Sequence, residues 1–344
     1  MEKFLSACLA RGRRIQIVSE HPQLLPTERA RGLFEGSLRF LEKIPGVKCL
    51  LRPRQSVKRS EVPISLVIPL HPKDIWVAPT CLEFARKNLS HPITEVVIVS
   101  KDAPEIQAWV KKEGLRWVDE GKVLSGIEKP SQISLPEQAA GLESWVFQQL
   151  IKLAADNFVE SECFLILDSD TLLLAPRVFK SKDELWLDYS HERNLLYLKG
   201  YEALLGSRAG SLVSFVCHHM FGEKKILGEL KSAIESKTGQ DWSQAILDLV
   251  SSEVWTEKEK LIRPFNFFSE YETYGNYCKN HYRRVKVRYF RNHGAKEFRP
   301  SQMTPKEYVA TLPTYFKWAS FHSYYGYEGL EKLKQKCVDE LSNS

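Results

Sequence analysis

Two acidic residues separated by one serine, Asp168 and Asp170, follow an uninterrupted apolar run in the middle of the chain. The run, CFLIL at residues 163–167, has the composition of a strand that is buried on both faces of a sheet. Carboxylates one residue apart on the turn after such a strand suit a hard divalent cation, since Mg²⁺ and Mn²⁺ prefer oxygen ligands and bridge to substrate phosphates. The pattern predicts a metal site that holds a diphosphate.

The same residues fit two other interpretations. Asp-Ser-Asp is ordinary turn chemistry, in which case both acids are only solvated. An apolar strand followed by D-x-D also opens phosphohydrolases of the haloacid dehalogenase type, in which the first Asp is a nucleophile. Here Leu172 takes the fifth position of that motif instead of Thr or Val, and no later paired-acid motif suited to Mg²⁺ follows. The context of the motif therefore favours the metal site.

Alternating strands and helices precede the two acids. Apolar runs predict strands, and apolar residues at helical spacing predict helices between them. The predicted strands are 62–70, 94–100, 115–118 and 163–167, and the predicted helices are about 74–88, 104–113 and 135–158. This order predicts an α/β fold of the Rossmann type, with a mostly parallel sheet flanked by helices. Ligands of such sheets bind at the carboxyl ends of the strands, where Asp168 and Asp170 are expected.

The second half of the chain has a mixed pattern. Strands are predicted at 185–190, 211–221 and 283–291, and helices at 197–205, 223–237, 241–250 and 327–341. Ser269 is expected to cap a further helix that carries Glu270 and Tyr274 on one face, whereas Glu272 points elsewhere.

Composition limits the classes of protein that the chain can represent. The 344 residues are 43% hydrophobic and 27% charged, as in soluble globular proteins. No run approaches the roughly 20 apolar residues of a membrane-spanning helix, and we expect no secretory signal. The seven cysteines never form a C-x-x-C spacing, which predicts reduced thiols and a cytoplasmic location.

Basic residues concentrate at the N-terminus. Residues 1–60 contain 13 Lys and Arg against 5 Glu, whereas the whole chain has a net charge of +6. Apolar residues recur there at helical spacing, so we predict a basic helical extension. Such an extension either binds an anionic membrane surface, which would make the protein a peripheral one on the inner face of the membrane, or only presents a solvated face. Nucleic-acid modules typically add interleaved aromatic residues or a recognisable motif, and because neither pattern appears here, no nucleic acid is expected as a partner.

Three motifs together resemble the nucleotide-binding half of GT-A-fold glycosyltransferases: VPISLVIPLHPKD, WVFQQLIKL and FLILDSDTLLL. The later FFSEYETYGNY is similar to a little-characterised bacterial family grouped with those enzymes. The resemblance implies a GT-A-like catalytic domain at 61–325, between the extension at 1–60 and a C-terminal helix at 326–344. It also implies transfer of a sugar from a nucleotide-diphosphate sugar to an acceptor hydroxyl, such as that of a bacterial surface glycan or glycolipid. A non-catalytic nucleotide-binding or scaffold protein on a degenerate GT-A fold is the alternative.

The resemblance also assigns residues to the donor and the metal. Asp168 and Asp170 would hold Mn²⁺ or Mg²⁺, and a late histidine would add a ligand, His322 in preference to His293. Asp168 would also face the ribose or sugar of the donor. The remaining donor-binding candidates are Pro69, His71, Asp74, Gln149 and Lys152. Asp74 is equally suited to capping the helix that follows it.

Glu270 is the first candidate for a catalytic base, and Glu272 of the same segment is the second. An inverting glycosyltransferase needs one carboxylate to accept the proton of the acceptor hydroxyl, and the aromatic residues around Glu270 offer a partly apolar setting. A glutamate at a helix N-terminus can equally serve the helix dipole alone. The acceptor pocket is expected to include His218, His219 and Tyr274, although adjacent histidines in a strand point to opposite faces.

Overall fold

The computed structural model of the protein describes residues 59–342, except 136–139, 183, 191, 193, 212 and 252–267. The predicted basic extension therefore lies outside the described residues, apart from its last two positions. In the described part of the chain, no helix combines the length and apolar character needed to cross a membrane.

Ten strands and nine α-helices make up the described chain. The strands are β1 (Ile64–Pro69), β2 (Ile93–Ser100), β3 (Arg116–Asp119), β4 (Cys163–Leu167), β5 (Thr171–Leu173), β6 (Leu185–Tyr189), β7 (His219–Glu223), β8 (Val285–Tyr289), β9 (Asn292–Gly294) and β10 (Trp318–Ser320). The helices are α1 (Ala78–Asn88), α2 (Pro104–Glu113), α3 (Glu143–Leu153), α4 (Leu195–Leu205), α5 (Lys224–Thr238), α6 (Trp242–Ser251), α7 (Glu270–His281), α8 (Pro305–Thr311) and α9 (Leu330–Ser342).

The central sheet has five strands in the order β3-β2-β1-β4-β7. All neighbours in it are parallel except β7, which runs antiparallel to β4. Every residue of β1 and β4 is buried, as their continuous apolar runs predict. Smaller sheets join β5-β10-β9 and β6-β8. The predicted α/β fold with a mostly parallel sheet and flanking helices is confirmed.

The order of the strands creates a crevice between β1 and β4. The chain passes from β1 outward through β2 to β3, and then returns to place β4 on the other side of β1. Ligands of open α/β sheets bind at such a switch point, outside the carboxyl ends of the strands. The segment after β1 contains Asp74, and the turn after β4 contains Asp168 and Asp170, so this crevice brings the predicted acids to one edge.

The bounds of several predicted elements need correction. A strand was expected over 211–221, but β7 begins only at His219 because His218 takes a left-handed backbone conformation with φ of 55°. The helix expected from 135 begins at Glu143, after Gly141 in a left-handed conformation with φ of 91°. The basic strand expected over 283–291 ends at Tyr289, and the following residues form β9 in a different sheet.

The helix after β1 also starts later than predicted. A 3₁₀ turn at Pro72–Asp74 separates β1 from α1, and Asp74 lies inside that turn instead of capping the α-helix. The cap of the turn is His71, whose Nδ1 accepts a hydrogen bond from the Lys73 backbone at 3.1 Å.

Candidate functional site

Lys152 is the centre of a buried cluster that joins three elements. Its Nζ lies 2.7 Å from Asp168 Oδ1 at the end of β4 and 2.9 Å from Glu270 Oε1 at the start of α7. It also donates to the hydroxyl of Tyr271 at 2.8 Å. Three protein oxygen atoms therefore lie around this ammonium group, which has three hydrogens. Lys152 therefore fixes the position of Asp168.

The charges of the cluster stabilise one another. Burial alone would raise the pKa of Asp168, but the Lys152 ammonium and the His218 ring outweigh it and hold that pKa below its usual range. Burial alone would lower the pKa of Lys152, and Asp168 and Glu270 outweigh it and raise that pKa. Both groups of the pair are therefore charged at neutral pH.

Two residues predicted from the sequence hold the start of α7 against α3. The predicted cap is confirmed, since the Ser269 hydroxyl accepts a hydrogen bond from the Glu272 backbone at 3.3 Å. Gln149 is buried in the apolar face of α3, and its Oε1 accepts from the Glu270 backbone at 3.3 Å. Gln149 and Ser269 thereby place the Glu270 side chain beside Lys152.

Asp170 faces His322, which follows β10. Strand β10 pairs with β5 so that Ser320 is opposite Thr171, and the Phe321 backbone donates to the Asp170 carbonyl at 2.8 Å. This register brings His322 Nδ1 to 2.9 Å from Asp170 Oδ2. His293, the other candidate, instead lies 3.0 Å from the Tyr308 hydroxyl. Of the two histidines, the structure places His322 beside Asp170.

The Asp170 and His322 pair fits a small divalent cation. Their 2.9 Å contact has the length of a hydrogen bond, and it is also close to the spacing of about 3 Å between adjacent ligands of an octahedral ion with bonds of about 2.1 Å. Within the described parts of the chain, no three His, Cys, Asp or Glu side chains are close enough to hold a metal ion by themselves. The arrangement therefore suits an ion such as Mg²⁺, which takes one or two protein ligands and completes its shell with phosphate oxygens and water.

His218 contacts Asp168 through both its backbone and its ring. Its carbonyl accepts a hydrogen bond from the Asp168 backbone at 3.0 Å, and its Nδ1 lies 3.5 Å from Asp168 Oδ2. The ring also stands 4.6 Å from that of His322. Burial opposes protonation of His218, but Asp168 outweighs burial and raises the pKa of the imidazole. Strained left-handed residues other than glycine cluster at functional sites, and His218 fits that pattern.

The segment after β1 contributes a further acid to the crevice. Asp74 is 8% exposed, and its Oδ1 has no hydrogen-bond partner among the described residues. Burial raises its pKa to about 7, and the charge of Asp170 adds to this shift. Asp74 therefore faces the acids that follow β4. Pro69 ends β1 inside the sheet, and His71 is exposed beside the crevice.

Three of the predicted site residues lie away from this cluster. Glu272 is fully buried in α7, where it accepts a hydrogen bond from Asn276 at 3.0 Å. The hydroxyl of Tyr274 accepts from the Glu223 backbone at 3.0 Å. The ring of His219 is buried and stacks on Trp318 at 4.1 Å. His219 and Tyr274 line a small cavity together with Tyr271, the hydroxyl partner of Lys152.

Several residues near the site were not predicted. Asp188 of β6 forms a second buried cluster with Arg177, Arg288 and His219, and an acid inside the apolar run LWLDYS is the signal that could have indicated it. The ring of Tyr324 stacks on that of His322 with centroids 4.8 Å apart, and the negative charge of Glu192 helps to raise the pKa of His218. Glu192 follows β6 at the carboxyl end of the strand, a position where site residues are expected. Tyr324 is two residues beyond the predicted ligand His322.

Residues 80–307 match the model of a protein family described as a family of unknown function, DUF6492, and the chain belongs to this family. No curated protein matches the chain.

Glycosyltransferases are among the solved structures similar to this one. The galactosyltransferase LgtC in complex with donor and acceptor sugar analogs is 14% identical, with 80% of this chain and 96% of that chain covered and a TM-score of 0.39. Mouse xyloside xylosyltransferase 1 is 11% identical, with 76% of this chain and 98% of that chain covered and a TM-score of 0.37. A third structure is glucosyl-3-phosphoglycerate synthase from Mycobacterium tuberculosis in complex with Mn²⁺, uridine diphosphate and phosphoglyceric acid. It is 12% identical, with 51% of this chain and 62% of that chain covered and a TM-score of 0.32. At such low sequence identities and TM-scores, these similarities do not indicate which reaction the protein catalyses.

Proposed function

We propose that the protein is a glycosyltransferase that depends on a divalent cation and transfers a sugar from a nucleotide-diphosphate sugar to an acceptor hydroxyl. The observation that carries the proposal is the contact of 2.9 Å between Asp170 and His322, at the edge of the sheet where β1 and β4 diverge. The two side chains would offer an oxygen and a nitrogen ligand in the crevice where α/β sheets bind nucleotides.

The charge of the crevice supports a cation there. The negative charges of Asp170 and Asp168 both raise the pKa of Asp74. The buried Lys152 does not offset them all, because it is already paired with Asp168 and Glu270. A diphosphate would be repelled by this surplus of carboxylates unless a cation neutralised it. A bound Mg²⁺ or Mn²⁺ would supply that neutralisation and stabilise the charge of the departing nucleoside diphosphate.

The chain's own residues then have distinct tasks. Asp170 and His322 would hold the cation. Asp168, fixed by Lys152 on one oxygen and faced by His218 on the other, would accept a hydrogen bond from a hydroxyl of the donor. Its partner Lys152 is assigned to positioning instead of to direct phosphate contact, because three protein oxygen atoms already surround its ammonium group.

Glu270 supports the same arrangement. Its side chain is 3% exposed and holds Lys152, so its carboxylate is poorly placed to reach an acceptor hydroxyl. We therefore assign Glu270 to holding Lys152 in preference to the role of base.

Binding of nucleotides in the presence and absence of cations tests this function. A thermal-shift series of nucleoside diphosphates and nucleotide sugars, with Mn²⁺, with Mg²⁺ and with EDTA, should give a rise in Tm that needs both nucleotide and cation. Asp170→Asn should abolish that rise, because one of the two cation ligands is lost. Asp102→Asn is the matched control, since Asp102 is an exposed acid just after β2 at the same edge of the sheet.

Three results would contradict the proposal. A cation-dependent rise in Tm that survives in Asp170→Asn would show that the cation binds elsewhere. Release of phosphate from an aryl phosphate that is lost in Asp168→Asn, with no nucleotide binding, would instead identify a phosphohydrolase. No rise with any nucleotide would leave only the scaffold interpretation.

A further inference from the structure

Tyr324 presents an exposed aromatic ring next to the proposed cation site. His322, whose Nδ1 lies 2.9 Å from Asp170, stacks on this ring with an angle of 12° and centroids 4.8 Å apart. His322 is buried, whereas Tyr324 is 76% exposed and is the exposed one among the large hydrophobic side chains of the described residues. Tyr324 is therefore a flat apolar surface one ring away from a proposed ligand of the cation.

Ring contacts connect Tyr324 to the segment after β1. Tyr325 meets Tyr324 edge-on with centroids 4.8 Å apart, and it meets Tyr327 at 5.9 Å. Tyr327 in turn meets Trp76 edge-on at 6.1 Å. These four side chains form one aromatic cluster. Because packed neighbours hold the Tyr324 ring, little side-chain entropy is lost when a ligand stacks on it.

Both ends of the aromatic cluster are attached to Asp170. At the Tyr324 end, the contact runs through the ring of His322. At the Trp76 end, the ring of Phe321 lies 6.3 Å from that of Trp76, and the Phe321 backbone donates to the Asp170 carbonyl at 2.8 Å. The cluster therefore extends from the turn after β4 to the segment after β1, which are the two sides of the crevice.

Buried polar atoms accompany the end of the cluster near β1. Trp76 Nε1, the Tyr327 hydroxyl and Asp74 Oδ1 have no hydrogen-bond partner among the described residues, although all three side chains are buried. Asp74 is only two residues before Trp76 in the segment after β1. Since buried polar groups are nearly always hydrogen-bonded, three such atoms in this segment and its ring neighbour favour a ligand with several polar groups.

We propose that the base of the nucleotide stacks on Tyr324. This inference rests on the proposed function, in which the cation holds the diphosphate. A nucleotide joins a diphosphate to a flat aromatic base in one molecule, and Tyr324 offers a flat exposed ring beside the cation ligand His322. The aromatic cluster also ends at the switch point of the sheet, where nucleotides bind, which favours the nucleoside over the acceptor on this surface. Because every base has a π face, Tyr324 binds the base without selecting which one it is.

Calorimetric titration of the full chain in Mn²⁺ tests the stacking. The ligands are the diphosphates of uridine, cytidine, adenosine and guanosine, together with inorganic pyrophosphate, which has the phosphates but no base. Tyr324→Ala should weaken the binding of each nucleoside diphosphate that the wild type binds by about tenfold or more, in line with the loss of one stacked ring. It should leave the affinity for pyrophosphate unchanged. Tyr324→Phe is the matched control and should keep the affinity for the nucleotides, because it retains the ring.

The outcomes separate this inference from the proposed function. Because Tyr324 is exposed, Tyr324→Ala should keep the Tm of the wild type without ligand. Nucleoside diphosphates that bind Tyr324→Ala as tightly as the wild type would overturn the stacking and leave this surface to the acceptor, while the cation site stands. An equal loss of affinity for pyrophosphate would also overturn it, since Tyr324 would then act on the cation site through His322. If no nucleoside diphosphate binds the wild type with any cation, the proposed function itself fails.

Discussion

His218 and His219 are neighbours in the chain, yet each faces a different aspartate. His218 Nδ1 lies 3.5 Å from Asp168 Oδ2, and His219 Nε2 lies 3.2 Å from Asp188 Oδ2. Each aspartate also has buried basic partners. The clusters around Asp168 and Asp188 thus contain the same kinds of residue. They differ in ways that make the Asp168 cluster an open site and the Asp188 cluster a closed structural one.

Exposure is the first difference. The Asp168 side chain is 18% exposed and that of His218 is 19% exposed. The Asp188 side chain is 0% exposed and that of His219 is 2% exposed. A ligand can therefore reach Asp168 but not Asp188.

The sign of the charge is the second difference. Lys152 is shared by Asp168 and Glu270, and further acids follow nearby, so this cluster has an excess of negative charge. Asp188 is instead paired with Arg288 and lies 3.6 Å from Arg177, which gives an excess of positive charge.

Burial acts differently on the bases of the two clusters. In the Asp188 cluster, burial and the neighbouring Arg288 lower the pKa of Arg177 to about 10. Burial alone would also lower the pKa of Lys152, but there the two acids outweigh it. The open cluster therefore has carboxylates that a cation can neutralise, whereas the basic groups of the closed cluster depend on a single carboxylate.

The closed cluster should be the more costly one to break. Asp188→Asn leaves two buried guanidinium groups without their counter-charge, and we expect a loss of about 3 to 5 kcal/mol in the free energy of unfolding. Asp168→Asn leaves Lys152 paired with Glu270 and Tyr271, so we expect a loss of about 1 to 2 kcal/mol. Urea unfolding at pH 7 in EDTA measures both. Equal losses would mean that the Asp168 cluster is as much a structural element as the Asp188 cluster.

The central sheet and the place of the two acids could be predicted because their signals are local. The apolar runs at 62–70, 94–100 and 163–167 correspond to β1, β2 and β4, each a strand buried over most of its length. Parallel strands then require Asp168 and Asp170 to follow β4 at the binding edge.

The partners of these acids could not be predicted because distant segments supply them. Asp170 and His322 are 152 residues apart in the chain and meet only because β10 pairs with β5. Asp188 belongs to a strand that reads as an ordinary apolar run, and its arginines come from a loop and from β8. The left-handed backbone of His218 has only a weak signal in the residue type, since few residues other than glycine adopt it, although histidine is enriched among those that do.

The strained backbone of His218 provides a second test of the comparison. A left-handed residue other than glycine costs about 1 to 2 kcal/mol. Because glycine relieves that strain but has more freedom when unfolded, His218→Gly should be more stable than His218→Ala by about 1 kcal/mol. Both variants lack the ring that faces Asp168, so both should lose cation-dependent nucleotide binding to the same extent. Urea unfolding and the thermal-shift series measure the two effects.

Equal stability of the two variants would contradict the assignment of strain. Full nucleotide binding in His218→Gly would show that only the carbonyl of residue 218 matters, since that group still accepts the Asp168 backbone hydrogen bond.

The two histidines should also respond to pH with opposite signs, and this is the smallest effect. The pKa of His218 is raised in the folded protein because Asp168 outweighs burial, so its stabilisation is complete below the unfolded value of about 6.5 and is lost as the pH rises through the folded pKa. Burial lowers the pKa of His219, so stability is instead lost as the pH falls below about 6.5. The measurement is the free energy of unfolding in EDTA between pH 5 and 8, for the wild type and for His218→Asn and His219→Asn. The pH dependence that each variant loses is the contribution of that histidine, which we expect to be on the order of 1 kcal/mol.

A reversed sign for His219 would change the account of the closed cluster. Its Nδ1 lies 2.7 Å from the Cys217 carbonyl oxygen while its Nε2 faces Asp188, so a doubly protonated ring would find an oxygen atom at each nitrogen. If stability falls with rising pH in the wild type and this fall is absent in His219→Asn, the ring is charged. Asp188 would then hold three cationic groups instead of two, and the loss in Asp188→Asn should be correspondingly larger at pH 6 than at pH 8.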